Sequence, residues 1–450
     1  MSKQDQKELR QQIACEWLEE NYLQFGSLRH DVVTDRLQIK AYKPTPSPSL
    51  KGREEGDGLL AIGNRQETWR NLTDKDINTM VCNCVEETQV NISVTEMWTA
   101  LKSDRVPSVH PIREWLNTLP PYTPDQPDWI DWLAQQVRVK PSGEEAKGDK
   151  ARGEELWRTC FKKWFVAMVA SWMNDEVVNH TVLVLVGRQG IFKTTWLEQL
   201  IPPALRAYSS KMPLNGQISK DDRLRLCENA MLNIDELDAI CGREMNIVKS
   251  LLTSTDVNER AAYGRLKERR MRLASFCAST NNREFLTDIT GNRRWLPFEV
   301  ESIQNPFHIT LPYERIYAQA KALIEGGTFM YWFDLEDIEQ LETHNEDFRA
   351  QENEEQLLPI LFDIPAEGKG EFMTTAEISD LLVTYGGIKR PMKTRQLGVI
   401  LGKLQFKKAQ AYMSGTCVRG WMVHKRLDDE IIRAKKNNID YATKQQSDVF

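Results

Sequence analysis

The residues most suited to chemistry stand at Gly187–Thr195, GRQGIFKTT. A glycine-bearing turn followed by Lys193 and Thr194 suits phosphate. Its backbone N–H groups can point at an anion, the lysine can reach the β- and γ-phosphates, and the threonine hydroxyl can ligate Mg²⁺. The expected nucleotide-binding set is Gly187, Arg188, Gln189, Gly190, Ile191, Phe192, Lys193, Thr194 and Thr195. The general pattern has a glycine directly before the lysine; here Phe192 takes that place and Gly190 stands two positions earlier. A bulky residue at that point is expected to alter the φ/ψ of the turn or its fit around a β-phosphate. The competing reading is a glycine-rich turn with an ordinary surface lysine.

Three further groups follow in order. Forty-two residues after Lys193, the apolar run MLNI ends in Asp235 and Glu236. Asp235 is expected to hold Mg²⁺ together with Thr194, and Glu236 to polarise an attacking water. Acids at a helix start would look the same. The run RLASFCASTN ends in Asn281 and Asn282. An amide at a strand tip can orient the lytic water, and Asn281 is preferred to Asn282, against an Asn-rich turn as the alternative. The segment TGNRRWLPF then supplies Arg293 and Arg294, one of which is expected to act as an arginine finger across a subunit interface. The catalytic set is Lys193, Glu236, Asn281, Arg293 and Arg294.

These residues need elements to hold them. TVLVLVG reads as a strand buried on both faces, TTWLEQLI as a helix, MLNI and SFCAST as further buried strands, and RRWLPFEV as another. Strands alternating with helices such as EMNIVKSLLTS predict an α/β domain with a mainly parallel sheet, over 151–330. Before it stand an N-terminal segment 1–65, with a polar loop at 45–58, and a helical N-terminal domain 66–150. After it come an acidic linker or helix 331–358, a winged-helix-like module 359–427 and a polar tail 428–450. The Trp residues at 98, 115, 129, 132 and 196 are read as core.

The 450 residues carry 59 Lys+Arg against 65 Asp+Glu, a net charge of −6, which excludes a protein coated in basic charge. The charge is divided. Residues 331–358 hold ten acids and one base, a net of −9, and residues 386–438 hold thirteen bases and three acids, a net of +10. The N-terminus is polar, no apolar run approaches the ~20 residues that span a bilayer, and the eight cysteines are scattered, so a cytoplasmic protein with reduced thiols is expected and no structural metal.

Taken together, VLVGRQGIFKTTWLEQL, MLNIDELD, ASTNNREFLTDITGNRRWLPFEV and the upstream HPIREWLNTL resemble the virulence-associated protein E family, P-loop helicase-like ATPases similar to superfamily 3 and poxvirus-type primase-helicases of phages and mobile elements. The resemblance covers roughly 66–300. It implies an AAA+/superfamily 3-like P-loop core, ATP and Mg²⁺ as cofactors, a hexameric ring, and a role in DNA replication. It also implies a helicase without a primase of its own, since the first ~65 residues are too short for one.

By the same resemblance, the interval 255–273 is a β-hairpin projecting into a ring channel, with Arg265 and Lys267 near its tip on a single-strand backbone. Arg260, Tyr263, Arg265, Lys267 and Arg269 form the expected single-strand set, cations for phosphate and a ring for stacking, with Arg270 and Arg272 in the same basic cluster. A salt-bridged hairpin is the alternative. In the C-terminal module Lys393, Arg395, Lys403, Lys407 and Lys408 are expected on duplex phosphates. The alternative is a basic surface packed on the acidic stretch. The expected activity is Mg²⁺-dependent ATP hydrolysis coupled to single-stranded DNA translocation. The rival readings are a helicase loader or remodeller and a DNA-binding regulator that holds nucleotide without turnover.

Overall fold

The computed structural model describes every residue except 1, 44–65, 142–149, 213–217, 235–236, 238–241, 261–266, 287–291, 351–352, 366–369, 387–391, 414–415, 428–429 and 432–450. The chain opens with α1 (Lys3–Leu18), β1 (Leu28–Asp31), β2 (Arg36–Lys43), β3 (Gln66–Asn71), α2 (Asp74–Thr88), α3 (Val94–Leu101) and β4 (Ser108–Val109). The strands pair in the order β3-β2-β1-β4. Thr73 and Ser93 start α2 and α3 with reciprocal caps from Asp76 and Glu96. Ala14, Leu18, Ile77, Met80, Met97 and Leu101 close one core with Leu28.

Residues 66–109 thus share a domain with 2–43, where the sequence predicts a boundary at 65. The Pro-, Ser- and Gly-rich stretch lies in the connection between two paired strands, β2 and β3, with Gln38 opposite Asn71. Turn-forming composition marks a connection; it does not say whether the flanking strands pair.

The central domain contains α4 (Pro111–Asn117), α5 (Trp129–Ala134), β5 (Val137–Val139), α6 (Lys150–Met173), β6 (Val182–Val186), α7 (Lys193–Gln199), β7 (Ser209–Lys211), α8 (Lys220–Glu228), β8 (Met231–Ile234), α9 (Gly242–Thr253), β9 (Asp256–Glu259), β10 (Glu268–Met271), β11 (Ser275–Thr280), β12 (Trp295–Ile303) and α10 (Tyr313–Glu325). Its sheet runs β5-β12-β6-β11-β8-β7, parallel throughout except for β5. The short edge strands β5 and β7 are not foreseen in the sequence.

Leu183 and Leu185 of β6 face one core, and Val182, Val184 and Val186 the other, which is why the run is apolar without alternation. Across the first face lies α6, burying Trp157, Phe161, Trp164, Phe165, Met168 and Trp172 at helical spacing. Its three indoles donate to the carbonyls of Ala134, Phe276 and Ala230, so the rings are buried without an orphaned N–H.

Residues 110–139, expected in a helical N-terminal domain, pack instead on this core through Ile112, Leu116, Ile130, Leu133, Val137 and Val139. The His110 ring caps α4 by accepting from the Arg113 N–H at 3.3 Å. Burial, with the Arg113 charge beside it, pushes its pKa down to about 4.

The C-terminal part has α11 (Leu335–Asn345), α12 (Asn353–Leu361), β13 (Phe362–Asp363), β14 (Glu371–Met373), α13 (Thr375–Gly386), α14 (Thr394–Lys403), β15 (Lys407–Met413) and β16 (Thr416–Lys425). The acidic stretch is therefore helix and not linker: Leu341 and Phe348 bury in the two central cores. The terminal module begins with α12, a few residues before the predicted 359, and its core joins Leu358, Ile378, Leu382, Leu397, Leu401, Trp421 and Val423. Among the described residues no helix is long and apolar enough to cross a membrane.

Candidate nucleotide site and nucleic-acid surfaces

The chain leaves β6 at Gly187, whose N–H donates to the Thr280 carbonyl at 3.1 Å and ties the turn to the tip of β11. Gly187 lies at φ +152°, and a Cβ there would meet the Val300 carbonyl and the Ile191 side chain at 3.1 Å. Gly190 lies at φ +85°. Phe192 is left-handed, φ 69° and ψ 17°, and its carbonyl accepts from Trp196 N–H at 2.9 Å to begin α7. The backbone thus takes at Phe192 the positive φ that a glycine would supply, at a cost of about 1–2 kcal/mol. Its ring meets Phe307 edge to face at 6.2 Å.

Lys193 is nine-tenths buried. Its Nζ donates to the carbonyls of Gly187 at 2.5 Å and Arg188 at 2.8 Å, and to Asn281 Oδ1 at 3.1 Å. Thr194 Oγ1 lies 3.1 Å from Ser279 Oγ. Lys193, Thr194 and Asn281, separated by up to 88 residues, are brought together because β6 and β11 are adjacent and parallel. Asn282 behaves differently: its side chain bonds the N–H and carbonyl of Glu284 and so closes its own turn. Asp235 and Glu236 lie outside the described residues. The strand leading to them, β8, pairs with β11 from Met231 to Ile234. Ser279 was not singled out in the sequence. The signal was available in the two-residue period of SFCAST, which puts Ser279 on the same face as Cys277.

Arg293 and Arg294 sit in a short turn, Asn292–Arg294, that leads into β12. Arg293 is exposed and Arg294 half-buried, and among the described residues neither has a hydrogen-bond or ion-pair partner. In register, Trp295 stands opposite Val182 and Glu299 opposite Val186. The arginines therefore lie at the end of the sheet where β6 begins, while Lys193 follows the end where β6 finishes. Five residues of strand separate the two levels, roughly 17 Å.

The hairpin β9–β10 is antiparallel, with Glu268 opposite Glu259. Tyr263 and Arg265 fall outside the described residues; Arg260 and Lys267 flank that gap and are exposed. Arg269 pairs with Asp256 at 2.9 Å. Two other cations of the cluster are structural. Arg270 pairs with Glu228 at 3.1 Å and donates to the Val33 carbonyl of the N-terminal domain. Arg272 is buried and donates to the carbonyls of Asn179, Leu251, Leu252 and Ala274. Burial lowers its pKa to about 9. A run of basic letters cannot distinguish a cation that satisfies interior carbonyls from one that faces solvent.

In the C-terminal module Lys393 and Arg395 are exposed at the start of α14, and Lys407 and Lys408 on β15. Lys408 lies over the Trp421 ring at 5.6 Å. Lys403 pairs with Glu346 of the acidic stretch at 2.7 Å, the intramolecular alternative for that residue. Tyr412, near the far end of the same strand β15, is 84% exposed.

Residues 146–350 match the family model described as the virulence-associated protein E-like domain. Among solved structures, the A form apo structure of the NrS-1 C-terminal region is similar at 12% identity and TM-score 0.42, over 89% of this chain and 98% of that one. The apo structure of NrS-1 C-terminal region (305-718) is similar at 12% identity and TM-score 0.43, over 91% and 99%. No curated protein matches the chain.

Proposed function

From the match of residues 146–350 to the virulence-associated protein E-like domain model, we propose a P-loop ATPase that couples Mg²⁺-dependent ATP hydrolysis to movement on single-stranded DNA in the replication of a phage or mobile element. The observation that carries this reading is the bridge from Lys193 to Asn281 across the adjacent tips of β6 and β11. In an open parallel sheet, ligands bind outside the carboxyl ends of the strands where the chain turns to opposite sides. Here the chain leaves β6 toward β7 on one side and later returns to β12 on the other.

The donor set fits phosphate and a hard cation. Lys193 already lies against the carbonyls of the turn, with Asn281 beside it, and would exchange those carbonyls for β- and γ-phosphate oxygens. Thr194, with Asp235, would hold Mg²⁺, which when bound neutralises charge developing on the transferred phosphoryl group. Glu236 would take the proton of the attacking water and Asn281 would orient it. Arg293 or Arg294, at the opposite end of the sheet from its own loop, would act on the loop of the next subunit in a ring. The order helix, two short strands, two helices, hairpin from α12 to β16 supports a winged-helix-like module for duplex DNA, with Lys393, Arg395, Lys407 and Lys408 on phosphates.

Phe192 is the residue that favours a nucleotide-binding regulator without turnover. Its left-handed backbone argues the other way, because the turn keeps the shape that a glycine would give it. ATP turnover with and without single-stranded DNA tests the choice. Turnover stimulated by DNA and abolished by Lys193→Ala and Glu236→Gln supports the ATPase. Turnover unchanged in both variants contradicts it.

A further inference from the structure

The turn that carries Arg293 and Arg294 is three residues long and has no regular partner strand of its own. A side chain more than fifty residues later bonds both of its ends. Asn345, at the end of α11, is 1% exposed, and its Nδ2 donates to the Asn292 carbonyl at 2.9 Å and the Trp295 carbonyl at 3.1 Å. The two acceptors bracket the arginine pair. Asn345 reaches them from a fixed base: Leu341 is buried one turn earlier, and the His344 ring lies 2.7 Å from the Pro297 carbonyl on β12 and packs on Phe298 and Phe348. The amide Oδ1 has no partner among the described residues. A buried acceptor left unsatisfied is unfavourable. The amide is thus oriented for its two donations and for nothing else.

We propose that Asn345 is the positioning residue of the arginine turn: its forked donation fixes the direction in which Arg293 and Arg294 leave the subunit. This rests on the reading of that pair as a finger acting in trans. A guanidinium reaching a phosphate in another chain must be held within about half an ångström of its working place, and losing the two Asn345 bonds loosens the turn that carries it. The assignment also gives the acidic stretch a task. Its helix α11 presents Asn345, and the next residue, Glu346, meets Lys403 of the terminal module.

The test uses full-length chains mixed in equal amounts, with DNA-stimulated ATP turnover as the readout. Asn345→Ala alone is expected to lower kcat by about tenfold, with KM for ATP nearly unchanged. Mixed with Lys193→Ala, it is expected to regain turnover, because its intact loop meets the well-held arginines of the other chain. Mixed with Arg293→Ala/Arg294→Ala, it is expected to regain none. A misfolded variant would recover with neither. Recovery with the arginine variant, or failure to recover with Lys193→Ala, overturns the positioning role. In the control mixture of Lys193→Ala with Arg293→Ala/Arg294→Ala, an absence of recovery overturns the trans finger and the positioning role with it. Recovery there without the Asn345 pattern removes the positioning role alone.

Discussion

The two ends of the central sheet are built on opposite plans. At the end where β6 finishes, polar groups close on one another within the chain: Lys193 on two carbonyls and Asn281, Thr194 on Ser279, Gly187 on Thr280. At the end where β6 begins, two guanidiniums project without a partner among the described residues, and the hairpin β9–β10 enters the same side of the sheet. One end is closed by folding and the other leaves two cations unpaired among the described residues, the contrast expected under the proposed function of a catalytic site divided between subunits.

Removing the waiting half should have the largest effect. Arg293→Ala/Arg294→Ala is expected to cost about 10³-fold in turnover while ATP affinity stays within a few-fold; single-turnover and equilibrium nucleotide binding measurements separate the two. Breaking the completed half comes next. Lys193→Ala is expected to cost about 10²–10³-fold in turnover and to weaken nucleotide binding as well, since under the proposed function the lysine acts on phosphate before and during reaction. A loss in kcat alone from both variants would remove the contrast between the ends.

Smaller effects sharpen the comparison from outside it. Gly420 on β16 has no room for a side chain: a Cβ would stand 2.3 Å from the Met373 carbonyl and 2.7 Å from the Phe372 ring. Gly420→Ala should destabilise the terminal module by about 1–3 kcal/mol in thermal unfolding, while ATP turnover without DNA persists. His110 gives a pH signature. Its folded pKa lies near 4, below the ordinary 6.5, so the neutral cap contributes stability above pH 6.5 that is lost as pH falls from 6.5 toward 4. Relative to His110→Asn, which keeps a cap without titrating, the protein should lose about 2 kcal/mol between pH 7 and 4.5 in denaturant unfolding. Phe192→Gly should change least. Relief of the left-handed backbone offsets loss of the Phe307 contact, and turnover should stay within about threefold.

Most of the completed end was legible in the sequence because its parts are local. A buried strand, a glycine turn and a lysine opening a helix lie within fourteen residues, Val182–Thr195. The strands β8 and β11 announce themselves by apolar runs that end in polar residues. The other end was legible only as letters. That Arg270 and Arg272 are committed inside the chain, while Arg293 and Arg294 have no partner among the described residues, depends on Glu228, Asn179 and Leu252, which no local pattern links to them. Asn345 is an ordinary residue in an acidic helix until α11 lies against β12. The pairing of the N-terminal sheet was hidden because the connection between β2 and β3 is long and β1 and β4 are short. The three-residue strands β5 and β7 are too short for periodicity to identify.

The most direct test of a site divided between subunits is ATP turnover in an equal mixture of Lys193→Ala and Arg293→Ala/Arg294→Ala chains, each inactive alone. Random pairing in a head-to-tail ring leaves about a quarter of the interfaces with an intact loop facing an intact arginine pair. The mixture should therefore recover about a quarter of wild-type turnover. Inactivity of the mixture, with both variants folded and assembled, would contradict the account.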